Sequence, residues 1–158
     1  MNNIKNTLIQ QIVSGHYKEA RAMSFDVMSE KDFYNLVISL GFATESVAVY
    51  TFICFLIIEH ESAYLHQLAA VLISQGLSHV EGAHSSGLFH ARRAVELSPN
   101  TVSYKEYMLL FNTIPDKLLT DTEAKMIAEK ILVQDPSNIT ALKTIEEIAR
   151  TGKTQNRA

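Results

Sequence analysis

The sequence predicts an all-α fold of antiparallel helical hairpins, about nine helices in number, and three observations predict it. Apolar residues recur at three- and four-residue intervals, and no alternating strand pattern interrupts them. Prolines occur only at Pro99, Pro115 and Pro136, each where an apolar stripe stops. Two stretches also share their punctuation: 87–100 closes on Ser98-Pro99-Asn100, and 124–138 closes on Asp135-Pro136-Ser137-Asn138. Both are short amphipathic helices ended by a polar residue, a proline and a following asparagine.

Each element follows from local spacing. The first helix covers 4–13, with Ile4, Leu8, Ile9, Ile12 and Val13 on one side, and Ser14-Gly15-His16 breaks it. A second helix over 17–28 places Tyr17, Ala20, Met23, Ser24 and Val27 at helical spacing. Ser29 to Asp32 approximates a capping box for the third, whose stripe is Phe33, Leu36, Val37 and Leu40; Gly41 is expected to end it in a left-handed conformation. Thr44 caps the fourth helix, which carries the greasy run 47–58 and therefore needs cover on several sides. Ser62 caps the fifth, over 63–75, with Leu65, Leu68, Ala69, Leu72 and Ile73 inward and Gly76 at its end. A sixth helix is expected over 79–97, weakened by Gly82 and Gly87, whose small size would let another helix approach closely. The seventh, 102–112, is anchored by Tyr104, Met108 and Phe111, and Ile114-Pro115-Asp116 closes it. Thr120 or Asp121 caps the eighth; Ser137 or Asn138 caps the ninth, ending near 150. The polar residues 151–158 read as a flexible tail after a single helical domain over 1–150. Linkers of roughly two to six residues leave sequential neighbours, running antiparallel, as the nearest cover for each stripe.

The echoed stretches resemble the second half of a tetratricopeptide repeat. In that family a small residue, another small residue seven positions on and a proline five beyond it mark the second helix. Gly87, Ala94 and Pro99 stand at those places in one copy, and Ala124, Ile131 and Pro136 in the other. Ile131 is larger than the usual residue, and the Pro99–Pro136 interval exceeds the family period of about 34. The resemblance implies hairpins stacked into a right-handed array over 62–150, preceded by a divergent or unrelated helical cap, and it implies protein recognition without naming a partner.

Composition narrows the function classes. The chain has 158 residues, is 47% hydrophobic and can bury one substantial core. Fourteen basic residues against 17 acidic ones give a formal charge of -3, a poor match to phosphate-backbone binding, so no nucleic-acid partner is expected. The run 47–58 falls short of the roughly 20 residues that span a bilayer, and the first residues do not make a signal peptide, so neither membrane nor export is expected and the chain reads as cytoplasmic. Cys54, the only cysteine, lies in that apolar run and reads as a core thiol.

No pattern for chemistry emerges. His79, Glu81, His84 and His90 cluster in sequence, with Glu81 and His84 spaced to share a helical face, but the pattern is not His-Glu-x-x-His. His60-Glu61 lacks the second histidine, since Tyr64 stands there. Gly152-Lys153-Thr154 lacks the upstream glycines of a phosphate loop. No catalytic, cofactor-binding or metal-ligating residue is assigned, and the chain is not expected to be an enzyme.

The expected function is therefore protein binding. Tyr104-Lys105-Glu106-Tyr107 offers two tyrosines three apart beside charges of both signs; His84 and His90 with Arg92 and Arg93 offer a second polar face. An immunity or antitoxin-type protein that neutralises a cognate toxin heads the reading, by analogy of size and charge. A peptide-binding adaptor or chaperone, a metal-dependent enzyme built on 79–90, and a homodimer through a shared apolar face remain as alternatives.

Overall fold

The structure is a computed structural model that describes the backbone of residues 2–155 and the side chains of residues 4–151. Among the described residues there are nine α-helices and no strand, as the apolar spacing predicts. They divide into two compact units, Met1–His90 and Ala91–Ala158.

The first unit holds α1 (Asn2–Val13), α2 (Tyr17–Ala22), α3 (Glu30–Thr44), α4 (Val47–Glu59) and α5 (Ala63–Val71), which continues into a π-helical turn (Leu72–Gly76). α4 is the hub, touching α1, α2, α3 and α5, and it buries Val49, Phe52, Ile53 and Leu56. The expected cover for its apolar circumference is present, although Ile58 remains 84% exposed at its end. Phe33, Phe52, Leu65 and Leu68 lie at the centre of this core.

Four expectations change here. α2 stops at Ala22, not near Met28. Ser24 Oγ donates to the Ala20 carbonyl and Asp26 accepts from Arg21 Nε at 2.9 Å, local bonds that compete with a continuing helix. Gly41 does not end α3; Glu45 does, at φ 49° with its N–H on the Gly41 carbonyl. Gly41 is instead buried against Leu72, where any Cβ would overlap Leu72 Cδ1. Ser46, not Thr44, caps α4, accepting from the Ala48 N–H at 3.2 Å, while Thr44 Oγ1 donates to the Leu40 carbonyl. The π-helical turn was not expected: the Leu77 N–H reaches back five residues to the Leu72 carbonyl.

α6 (Ala83–Leu97) starts four residues later than the sequence predicts, because Gly82 takes φ 75° and the chain before it turns. Its residues fall on both sides of the unit boundary. The second unit continues with α7 (Val102–Thr113), α8 (Asp121–Gln134) and α9 (Ile139–Gln155). α8 packs on both α7 and α9, and α7 also touches α9, so Phe111, Leu109, Ala124, Ala128, Ile131 and Ala141 form one core. Of the two caps expected for each helix, Thr120 serves α8, closing a capping box with Glu123, and Asn138 serves α9, its Oδ1 accepting from the Ala141 N–H. α9 runs through Gln155 rather than ending near 150; residues 156–158 lie outside the described residues.

Candidate functional site

Two arrangements concentrate polar chemistry, one in each unit. In the second unit, an open groove is lined by α6, α7 and α8. Val95, Met108 and Ile127 give it an apolar floor, and Arg92, Glu96, Lys105 and Lys130 supply charge. Helical spacing explains the set: Arg92, Val95 and Glu96 share a face of α6, Lys105 and Met108 a face of α7, and Ile127 and Lys130 a face of α8.

The charges are not equivalent. Arg92 donates to Glu123 at 2.9 Å and Arg93 to Glu96 at 3.1 Å, so these groups largely neutralise one another. Lys105 is only 6% exposed, and its Nζ donates at 2.9 Å to Gln134 Oε1, a neutral acceptor. Neither Lys105 nor Lys130 has a carboxylate within ion-pairing distance among the described residues. A cation so enclosed with one neutral partner is costly unless another acceptor reaches it.

In the first unit, a chain of hydrogen bonds links α4, α5 and α6. The Tyr50 hydroxyl lies 2.8 Å from His90 Nε2, His90 Nδ1 lies 2.8 Å from His66 Nδ1, and His66 Nε2 lies 3.2 Å from Glu61 Oε1. Both imidazoles are buried, at 6% and 3% exposure. Only one hydrogen placement satisfies a carboxylate at one end and neutral rings between: Tyr50 O–H donates to His90, His90 Nδ1–H to His66, and His66 Nε2–H to Glu61. Burial, and then the neighbouring His66, lower the His90 imidazole from 6.5 to about 4. Burial raises the Tyr50 phenol, with Cys54 adding to the rise, and burial pushes up the half-buried Cys54 thiol. This chain joins α4, α5 and α6 through the buried His66 and His90 side chains and acts as a structural tie.

The residues singled out in sequence are dispersed. His90 faces inward to His66 and Tyr50. His84 is half-buried on α6, whereas His79 is exposed in the preceding turn. Glu81 also precedes the helix, so it shares no helical face with His84. Among the described residues no group of three or more His, Cys, Asp or Glu is arranged to hold a metal ion. Of the 104–107 set, Lys105 enters the groove, Glu106 Oε1 accepts from Asn138 Nδ2 at 2.7 Å, and the Tyr107 ring packs edge-on to Phe111 with centroids 5.9 Å apart. Tyr104 is half-buried on the same helix. The groove thus joins Arg92 and Lys105, drawn from the two expected faces, and adds Val95, Met108, Ile127 and Lys130. Spacing could have found Lys105, which continues the inward stripe of Met108, Leu109 and Asn112 one turn back. Likewise His66 sits inside the stripe of Leu65, Leu68 and Ala69.

No described helix is long and apolar enough to cross a membrane. No protein-family model, no curated protein and no solved structure matches the chain.

Proposed function

We propose that this chain is a non-enzymatic protein-binding module whose α6–α8 groove takes a segment of a partner protein. One observation carries the reading: three consecutive helices present an apolar floor of Val95, Met108 and Ile127 beside cations left without carboxylates. Apolar contact supplies affinity in such a groove, and the charges set orientation and choice of partner.

The tetratricopeptide-like reading is part of this proposal. Its support is that Ala94, Ala124 and Ile131, the positions of close helix approach, are fully buried, and that Pro99 and Pro136 follow the ends of α6 and α8. The interval beyond the family period has an explanation in the long 114–120 connection, where Pro115 ends α7 and Lys117 takes φ 41°.

A groove selects a segment rather than a broad surface, which favours a peptide-binding adaptor over an inhibitor that blankets a toxin. The test is capture of a stoichiometric partner from native extract by the full chain and by Ile127→Asp, with helicity checked by circular dichroism. The reading expects the variant to stay helical and to lose the partner. A partner retained in full by a folded variant would contradict it.

A further inference from the structure

We propose that the α6–α8 groove binds an acidic segment of another protein, its side-chain carboxylates seated on Lys105 and Lys130 around an apolar residue on Met108 and Ile127; this rests on the groove reading above. Lys105 carries the argument. At 6% exposure it is among the few buried charged groups of the chain, yet its one hydrogen bond is to the Gln134 amide oxygen. An ammonium has three donors, and enclosure without an anion is disfavoured. Its side chain lines the open groove, where a carboxylate of a partner can reach it.

The neighbouring charges define the acceptor. Arg92 and Glu96 already have partners in Glu123 and Arg93, leaving Lys105 on α7 and Lys130 on α8 uncompensated. Two cations on different helices, in one groove with apolar side chains, suit a run bearing more than one carboxylate better than a single chain terminus. The apolar side chains of Val95, Met108 and Ile127 in the same groove select an apolar residue between the acids.

The experiment is fluorescence anisotropy with the full chain and three labelled peptides. The first alternates glutamate and leucine and has an amidated C-terminus. The second replaces each glutamate by glutamine. The third is the glutamine version with a free C-terminal carboxylate. The proposal expects the first peptide alone to bind, more weakly as salt rises, with a loss of at least about tenfold for Lys105→Met, a smaller loss for Lys130→Gln and partial retention for Lys105→Arg. Equal binding of the glutamine peptide, binding of the third peptide alone, unchanged affinity in Lys105→Met, or no binding at all would each overturn it. Ile127→Asp separates the two levels. Glutamate and glutamine peptides that bind equally and are both lost in Ile127→Asp would leave the groove reading standing and sink the carboxylate. Binding that neither Lys105→Met nor Ile127→Asp alters would sink both.

Discussion

His66 and His90 meet through their Nδ1 atoms at 2.8 Å, so one ring must be protonated at that nitrogen and the other bare. With both rings neutral, Tyr50 on one side and Glu61 on the other set donation running from α4 through α6 to α5 and on to Glu61, two residues ahead of α5.

This arrangement makes stability depend on pH. The folded-state value for His90 is depressed to about 4 from 6.5, so the unfolded chain binds its proton first as pH falls. The stability His90 contributes is fully present above about 6.5 and is lost as pH drops toward 4, on the order of 3 kcal/mol in total. Urea titrations at pH 7, 5.5 and 4.5 should show this decline in the wild type, with a shallower slope in His90→Asn.

Gly41 has a packing role. Adding a methyl group there would drive into Leu72 Cδ1, so the fully buried Leu72 side chain at the start of the π-helical turn must shift to admit it. Gly41→Ala should destabilise by about 1–2 kcal/mol despite its better helix propensity. Leu72→Ala in the Gly41→Ala background should cost less than in the wild type. A double-mutant cycle in urea measures that coupling.

Thr120 and Glu123 satisfy each other's backbone N–H groups at the start of α8. Thr120→Ala should cost about 1 kcal/mol. Hydrogen exchange should quicken first in the amides of the opening turn of α8.

Much of this was legible in sequence. The caps at Ser29 and Ser62, those at Thr120 and Asn138 to within one residue, and the stops at Pro99, Pro115 and Pro136 depend on groups a few residues apart, which sequence shows directly. Gly41 misleads because a glycine ending an apolar stripe looks the same whether it frees the backbone or makes room for Leu72. The π-helical turn has no local residue signature, since Leu72-Ile73-Ser74-Gln75-Gly76 would serve an ordinary helix end. The His66–His90 contact joins positions 24 apart, so the sequence shows only the local cluster of His79, Glu81 and His84. Lys105 is the instructive case: flanked by Tyr104 and Glu106 it looks exposed, but its register with Met108 and Leu109 turns it inward.

That register leads to a prediction about stability. Lys105→Met keeps the length of the side chain and removes an enclosed ammonium, and exposed Gln134 can turn to water. The variant should therefore melt no lower than the wild type and gain about 1 kcal/mol. Differential scanning calorimetry of the two proteins in one buffer checks this. A clear loss of stability would mean that Lys105 serves the fold rather than a partner.

The central claim is that the α6–α8 groove is where a partner protein sits. Site-specific photo-crosslinking inside the native cell tests it most directly, with the reactive side chain placed in turn at Val95, at Ile127 and at Ile58, an 84% exposed control on α4. The claim predicts one discrete crosslinked partner from positions 95 and 127 and none from 58. The same partner captured only from position 58, or a crosslink from the groove only to a second copy of this chain, would contradict it.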